Sequence, residues 1–259
     1  MSSIEIKNAS VSYFLRHAGN RKGKSKKRRK LERNAVGGQI IERARYLEIA
    51  ALKDINLSFK EGDRVGLIGV NGSGKSTLLK LCSGALSVQS GSIEIEGRVS
   101  AQFSLGAGVI RALSGRRNVE LKCLYMGTPQ RTIQDRVEEV KELSGLGGYF
   151  ELPVSTYSAG MRSRLVMSMI RLVRADILIM DEWIGAADDT VNKTVGKLQR
   201  DLIESASLLI LASHSERVLK QWVKTLIWLD AGEIKAYGPI DEVYAEYRRV
   251  LTQIANEQS

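Results

Sequence analysis

The sequence is poor in cysteine and has no long apolar run, and each absence excludes a class of protein. The two cysteines, Cys82 and Cys123, provide neither the disulfide framework of a small secreted domain nor the spacing of a metal site. The most apolar stretch, residues 165–180, is interrupted by charged residues, so it falls short of the ~18 apolar residues that a transmembrane helix requires. The first residues lack the charged and then apolar pattern of a signal peptide. We therefore expect a cytosolic chain with two reduced thiols.

The positive charge of the chain is concentrated in one short segment. The formal net charge is +10, and residues 21–33, here called the basic segment, contain nine Lys or Arg and one acid. The rest of the chain is close to neutral, unlike an evenly basic nucleic-acid-binding protein. Because each Lys or Arg contributes ~1 kcal/mol near an anionic leaflet, the basic segment has enough charge to hold a loop at a membrane surface or against a pyrophosphate. A solvated loop is the alternative interpretation.

Apolar residues recur with strand-like and helix-like periods in alternation along the chain. Alternating patterns and short apolar runs predict strands at 4–7, 52–59, 64–68, 177–180 and 208–212. Wider spacings predict helices at 76–83, 118–125, 130–143, 159–174, 191–205 and 241–254. Two further segments are each predicted to form a hairpin, 92–103 and 225–237. This alternation indicates a parallel α/β sheet with a mostly helical insertion.

A glycine-rich loop follows the strand predicted at 64–68. It matches the phosphate-loop pattern at every fixed position, and the residues predicted to contact a nucleotide are Gly69, Asn71, Gly72, Ser73, Gly74, Lys75, Ser76 and Thr77. Glycines let the backbone wrap a phosphate closely, and exposed amides at the positive end of a helix attract the anion. Lys75 is predicted to neutralise the β- and γ-phosphates, and the Ser76 hydroxyl to bind Mg²⁺. The loop therefore predicts a nucleoside triphosphatase without deciding its class.

Two acidic residues follow the apolar run at 177–180. Asp181 and Glu182 stand at the carboxyl end of a predicted buried strand, and open α/β sheets bind ligands at that edge. Both acids are therefore expected to face the phosphate loop, Asp181 in the Mg²⁺ shell and Glu182 as the base that orients and deprotonates the attacking water. An Asp-Glu pair after an apolar strand is common by chance, so this prediction depends on the phosphate loop beside it.

A short motif with serine and glycine precedes the paired acids at residues 157–161. Ser158 and Gly160 match the signature Ser and second Gly of the ABC ATPases, a family that the chain resembles over nearly its whole length. Ala159 and Met161 stand where that signature usually has Gly and Gln. A Ser hydroxyl and amides at a helix start form an anion cradle. The resemblance implies that this cradle caps the γ-phosphate of an ATP bound by the other subunit, in a head-to-tail homodimer that encloses two ATPs.

The resemblance implies roles for four more residues. His214 matches the switch histidine that contacts the γ-phosphate during catalysis, and Asp188 matches the loop that communicates across the dimer. Gln102 is the candidate for the glutamine that joins Mg²⁺ and the transporter partner, although the residues after it are atypical. Tyr13 stands where the family has the aromatic residue that stacks on adenine. The alternatives for that role are Phe14 and Tyr46, and core packing is open for all three.

The fold that the resemblance implies is a single P-loop ABC ATPase domain over residues 1–259. It combines a parallel sheet core with an antiparallel β subdomain and an inserted helical subdomain. The predicted boundaries are about 1–105 and 165–240 for the catalytic core, 106–164 for the helical subdomain, 16–45 for a basic inserted loop and 241–256 for a C-terminal helix. Some members add a C-terminal carbohydrate-recognition domain, which we expect to be absent because the chain ends shortly after its last helix.

Five strings in order along the chain narrow the resemblance to one subfamily. They are residues 104–108, 113–119, 157–164, 181–183 and 212–215. Together they resemble the exporters of bacterial surface polysaccharides such as O-antigen, capsule and teichoic acid. The resemblance implies a peripheral protein at the cytoplasmic face of the inner membrane, bound to a separate integral membrane permease whose cargo is a lipid-linked glycan. The alternatives are an exporter subunit for another substrate and an ABC ATPase that acts on nucleic acid; the basic segment is the only support for the latter, and no nucleic-acid partner is expected.

Overall fold

Strands and helices alternate along the part of the chain that the structure describes. The structure is a computed structural model, and it describes residues 1–16, 39–42, 46–103, 108–182 and 193–257. The basic segment and Asp188 lie outside these ranges. Across the same ranges, no helix combines the length and the apolar composition that a passage through a membrane requires.

The described residues contain ten strands and seven α-helices. The strands are β1 (Ser3–Arg16), β2 (Gln39–Glu42), β3 (Tyr46–Lys60), β4 (Arg64–Ile68), β5 (Ser90–Glu96), β6 (Val99–Gln102), β7 (Ile177–Asp181), β8 (Leu208–Ala212), β9 (Thr225–Asp230) and β10 (Glu233–Pro239). The α-helices are α1 (Lys75–Cys82), α2 (Gly115–Tyr125), α3 (Gln130–Ser144), α4 (Ala159–Ser168), α5 (Lys193–Ser205), α6 (Glu216–Trp222) and α7 (Ile240–Glu257). Short 3-10 helices occupy Gly147–Glu151, Val154–Thr156 and Met169–Leu172.

The central sheet has six strands in the order β10-β9-β4-β8-β7-β6. All neighbouring pairs from β9 to β6 are parallel, and only the β9–β10 hairpin is antiparallel. The apolar runs of β4, β7 and β8 are buried almost throughout because both faces of the sheet are covered. The prediction of a parallel α/β sheet is confirmed, and the carboxyl ends of β4, β7 and β8 lie side by side.

A second, antiparallel sheet has four strands in the order β2-β3-β1-β5. Strands β1 and β3 are longer than the alternating patterns predicted, and they remain paired from Ser3↔Lys60 to Arg16↔Tyr46. Strand β2 falls inside the predicted inserted loop and pairs with β3. The sequence pattern missed this strand because its two apolar residues, Ile40 and Ile41, are adjacent and do not alternate with polar ones.

The predicted hairpin over 92–103 is wrong, because its two strands belong to different sheets. Strand β5 pairs with β1, whereas β6 pairs in parallel with β7. Gly97, at φ +107, and Arg98 lie between the two strands. Hydrogen bonds from the backbone N–H groups of Asp176 and Ile177 to the Arg98 carbonyl direct β6 into the central sheet. Pairing with strands distant in sequence therefore overrides the local turn signal.

Helices α2, α3 and α4 enclose a separate apolar core with buried side chains such as Val119, Val137, Phe150 and Leu165. The Arg116 guanidinium of α2 connects this helix to α3 and to the 3-10 helix at Gly147–Glu151. It donates to Glu151 and Glu138, each at 2.9 Å, and lies over the Phe150 ring. These hydrogen bonds raise the pKa of Arg116 above its ordinary value.

Arg64 at the start of β4 caps the C-terminus of α5. Its guanidinium donates to the carbonyls of Ile203, Glu204 and Ala206, the last at 2.8 Å. Burial lowers the pKa of Arg64, and the Glu204 charge opposes that shift. The last carbonyls of a helix lack intrahelical partners, so this contact fixes the end of α5 to the strand that precedes the phosphate loop.

The ion pair between Arg98 and Asp176 predicts an acid-sensitive contribution to stability. Hydrogen bonds from the Arg98 side chain and its backbone N–H lower the pKa of Asp176 from 3.8 to about 2. The stabilisation is therefore complete above the unfolded pKa and is lost as the pH falls through the folded one. Because both side chains are partly exposed, we expect Asp176→Asn to lower the free energy of unfolding at pH 7 by only about 0.5–1 kcal/mol. Urea unfolding of both proteins from pH 7 down to pH 3 measures this difference, and a gap that does not narrow with acidity would contradict the assignment.

Candidate functional site

One cavity of about 550 Å³ collects ten of the residues predicted to form the site. They are Tyr13, Asn71, Gly72, Gly74, Lys75, Ser76, Thr77, Asp181, Glu182 and His214. The cavity opens at the carboxyl ends of β4, β7 and β8, with one wall from the antiparallel sheet. Parallel strands thus bring together residues that are far apart in sequence, at the edge where open α/β sheets bind ligands.

The phosphate loop joins β4 to α1 and leaves a helix N-terminus at the cavity. Gly74 precedes α1 with φ +110, a conformation that favours glycine. Within the described residues, no side chain caps this end of α1. The first amides of a helix have no intrahelical partner, so those of α1 form an anion site of the kind that binds phosphate.

Lys75 is the buried cation of the loop. Its side chain lies under the loop, where Nζ donates to the Gly69 carbonyl at 2.7 Å and to the Val70 carbonyl at 3.2 Å. Burial lowers the pKa of Lys75, while the charges of Asp181 and Glu182 oppose that shift. The loop's own carbonyls therefore hold the ammonium group at the cavity, where its positive charge attracts an anionic phosphate.

Ser76 and Asp181 meet at the floor of the cavity. The Ser76 hydroxyl donates to Asp181 Oδ2 at 2.8 Å. Asp181 is the last residue of β7 and is paired in register with Ala212 of β8. A hydroxyl and a carboxylate are oxygen donors of the kind that Mg²⁺ takes beside phosphate oxygens. The chemistry of this pair therefore fits a magnesium ion.

Glu182 and His214 form a pair across the ends of β7 and β8. His214 Nε2 lies 2.8 Å from Glu182 Oε1, and both side chains are about half exposed. Glu182 has φ +53, a left-handed conformation that costs a non-glycine residue on the order of 1 kcal/mol or more. The hydrogen bond from the Glu182 N–H to the Ala212 carbonyl, at 2.9 Å, holds the residue in this conformation. The strained backbone turns this carboxylate out of the strand direction and into the cavity.

The antiparallel sheet supplies an apolar wall around Tyr13. The Tyr13 hydroxyl lies 3.4 Å from Thr77 Oγ1, and Ile49 and Ala51 line the same wall. The alternatives for the base-stacking role, Phe14 and Tyr46, instead pack edge to face at 5.3 Å and do not line the cavity. Sequence reasoning missed Ile49 and Ala51. The feature that identifies them is the register between β1 and β3, because Ile49 is the cross-strand partner of Tyr13.

The structure does not bring every predicted residue into the cavity. Gln102 donates to Ser100 Oγ at 3.1 Å, and its neighbour Phe103 lines the cavity instead. Gly69 and Ser73 belong to the back of the loop, and Asp188 lies outside the described residues. The signature residues also lie elsewhere: Ser158 caps α4 by accepting from the Met161 N–H at 3.2 Å, and Gly160 is exposed beside it.

The fold and the cavity define a P-loop nucleotide-binding domain, and a family comparison specifies its class. The model of the family described as ABC transporter matches residues 52–185. The chain belongs to the ABC transporter family. The family resemblance drawn from the motifs is thus confirmed.

Two relatives illustrate the range of similarity within the family. The O-antigen export system ATP-binding protein RfbE of Yersinia enterocolitica is 35% identical over 235 residues, which cover 90% of this chain and 97% of that protein. The teichoic acids export ATP-binding protein TagH of Lactococcus lactis is 38% identical over 201 residues, or 78% of this chain. The match covers only 43% of that TagH, so the chain spans about half the length of some curated relatives.

Solved structures support the fold. A dimer of the ATP-binding cassette MJ0796 bound to ADP and Pi aligns with a TM-score of 0.64 over 92% of this chain and 98% of that chain. The sequence identity of this pair is 19%. The solved structure of an ATP-binding subunit of an ABC transporter aligns with the same TM-score at 18% identity over 94% of this chain.

Proposed function

We propose that this chain binds and hydrolyses ATP and thereby powers export of a lipid-linked surface polysaccharide, O-antigen or a similar glycan, through a separate membrane permease. The observation that carries the proposal is the convergence of Lys75, Asp181, Glu182 and His214 on one cavity. The names of the relatives supply the transport class, because RfbE and TagH are ATP-binding proteins of O-antigen and teichoic acid export. An exporter subunit for another substrate is the alternative.

The residues of the cavity divide the chemistry of ATP hydrolysis among them. The amides of α1 and the Lys75 ammonium bind the β- and γ-phosphates and offset their charge. A bound Mg²⁺, with Ser76 and Asp181 as its protein ligands, would neutralise the same phosphate oxygens. Tyr13 stacks on the adenine base. Each of these groups positions the triphosphate in a fixed orientation, which accounts for most catalysis of phosphoryl transfer.

Glu182 acts as the general base in this proposal. Its carboxylate accepts a proton from the water that attacks the γ-phosphate. His214 lies within hydrogen-bond distance of that carboxylate and on the same edge of the sheet. The imidazole therefore orients the base and is itself placed to contact the γ-phosphate.

Two copies of the chain are proposed to complete each site in a head-to-tail homodimer. Ser158 and Gly160 are exposed at the start of α4 and lie outside the cavity of their own chain. They can cap a γ-phosphate only if a second copy presents one, and Asp188 is proposed to lie at the same interface. The MJ0796 cassette, which shares the fold, is a dimer when bound to ADP and Pi, and this agrees with the proposal of a dimer.

The permease is proposed to dock on the helical layer near Gln102. A second cavity of about 410 Å³ lies in the helical layer and is lined by Val109, Arg111, Val154, Ala159, Arg162, Ser163 and Val166. Its apolar floor and two arginines suit an amphipathic helix with an acidic residue. This contact would hold the ATPase peripherally at the cytoplasmic face of the membrane.

A complementation experiment tests the transport proposal. In a strain without the gene for this chain, the lipid-linked glycan is expected to accumulate inside the cell and to be missing from its surface. The wild-type gene should restore surface glycan, whereas a gene encoding Glu182→Gln should not. Normal surface glycan in the deletion strain, together with ATP hydrolysis by the purified protein, would instead favour another exported substrate.

Tyr13 and Phe14 provide a matched test of the base-binding wall. Tyr13→Ala is expected to weaken ATP binding about 5- to 150-fold, because an aromatic side chain stacked on a base contributes about 1–3 kcal/mol. Phe14→Ala should leave the affinity unchanged, since Phe14 packs on Tyr46 outside the cavity. Equilibrium titration with ATP measures both variants. Equal losses in the two would reopen the choice between these aromatic residues.

A further inference from the structure

The back of the phosphate loop is packed against the turn between β9 and β10. The Gly232 N–H donates to the Ser73 carbonyl at 2.9 Å, and the Gly232 carbonyl accepts from the Lys53 N–H at 2.8 Å. One residue of the turn therefore joins the loop to strand β3. Neither Gly232 nor Ser73 lines the cavity, so these bonds act on the loop from behind.

The contacts behind the loop are backbone to backbone and leave no room for a side chain. A Cβ at Gly232, where φ is +83, would lie 2.6 Å from the Ala51 carbonyl oxygen. A Cβ at Gly74 would lie 2.7 Å from that same oxygen and 3.5 Å from the Gly232 Cα. At Gly69 it would lie 2.2 Å from the Leu229 carbonyl oxygen. The loop, the turn and β3 therefore pack too closely to accommodate a side chain at any of these three glycines.

The packing continues to the groups that face the ligand. Gly74 immediately precedes α1, whose first amides and Lys75 bind the phosphates in the proposed function. The Ser73 side chain is 2% exposed and lies at the back of the loop. Because no free space separates the turn from the loop, a displacement of the turn also displaces the loop. Close-packed interiors transmit such shifts.

We propose that the Gly232 turn is a positioning element for phosphate binding: it holds the loop in its nucleotide-binding conformation without touching the nucleotide. The inference rests on the proposed function, which identifies ATP as the ligand. Gly232 is a positioning residue, and its effect on ATP passes through Ser73 and Gly74.

Gly62 offers a matched control for a substitution at Gly232. It lies in the turn between β3 and β4 with φ +94, so alanine meets the same conformational penalty there. A Cβ at Gly62 has nothing within 4 Å. The two variants Gly232→Ala and Gly62→Ala therefore differ in what the new methyl group contacts, not in the kind of backbone strain.

The test compares ATP affinity in the two variants at a temperature where circular dichroism shows both to be folded. Gly232→Ala is expected to bind ATP about 10- to 100-fold more weakly, because the loss of one hydrogen bond from the displaced loop to a charged phosphate has an effect of that size. Gly62→Ala should bind ATP like the wild-type protein. The dissociation constant of adenosine, which has no phosphate, should be about the same for all three proteins, and this separates a displaced phosphate loop from a general loosening of the site.

Hydrogen exchange of the wild-type protein provides a second measurement if Gly232→Ala does not fold. Saturating ATP should slow amide exchange in the segment 229–233, although that segment lies outside the cavity. Equal ATP affinities of the two alanine variants, or unchanged exchange in that segment, would overturn the inference alone. A wild-type protein without affinity for ATP would overturn the proposed function and this inference with it.

Discussion

Glu182→Gln is expected to lower the rate of ATP hydrolysis by about 10²- to 10⁴-fold, the contribution typical of a positioned general base. Glutamine keeps the size of the side chain but cannot accept the proton of the attacking water. Lys75, Ser76 and the amides of α1 are untouched, so ATP should still bind. Phosphate release measures the rate, and retention of radiolabelled ATP measures binding. Because hydrolysis would normally separate the proposed dimer, light scattering should show a dimer that persists with ATP.

Glu61→Gln is a suitable control for this substitution. Glu61 is an exposed carboxylate in the turn between β3 and β4, outside the cavity. Its variant should hydrolyse ATP at the wild-type rate. Wild-type turnover in Glu182→Gln would show that another group takes the proton, and His214 would then be the first residue to examine because of its 2.8 Å contact with Glu182.

Lys75→Ala is expected to weaken ATP binding at least about 30-fold, since removing one partner of a buried charge pair costs roughly 2 kcal/mol or more. Lys75 is 8% exposed, and its ammonium group is held at the cavity by the Gly69 and Val70 carbonyls. Without it, the phosphates would lose the charge of the ammonium group and would keep only the backbone amides and a bound Mg²⁺. Isothermal titration with ATP measures the loss.

Lys80→Ala controls for the loss of a lysine from the same helix. Lys80 lies in the last turn of α1 and is exposed to solvent. Its removal should leave ATP affinity unchanged. If Lys75→Ala binds ATP as tightly as Lys80→Ala does, the phosphate loop is not the triphosphate site, and the proposed function fails at its first step.

Motifs defined by residues adjacent in sequence could be predicted without the structure. The phosphate loop between β4 and α1 and the acids at the end of β7 depend on local conformation, and each follows an apolar run that shows where its strand ends. Tyr13 was predicted only through the family resemblance. The structure adds the register with Ile49 that places it on the cavity wall.

Features that depend on pairing between distant segments escaped prediction. The turn signal at Gly97 suggested a hairpin, yet β5 and β6 enter different sheets, because β5 pairs with β1 and β6 pairs with β7. The Arg64 cap on α5 joins residues about 140 positions apart. The hydrogen bond from Gly232 to Ser73 in the loop also joins residues that are far apart in sequence. Neither leaves a periodic pattern in the sequence, because a single residue makes each contact.

The amino-acid sequence by itself determined which candidate groups this protein has: a loop with the phosphate-binding pattern, acids at a strand end, and a serine at the start of α4. These depend on backbone geometry within a few residues, where glycine, lysine and carboxylate have few alternatives. Only the tertiary structure decided which of these groups share a cavity. Strand order and register, set by burial of apolar faces over the whole chain, bring Glu182 to His214 and Ser76 to Asp181, and leave Ser158 on a surface that a second copy would have to meet.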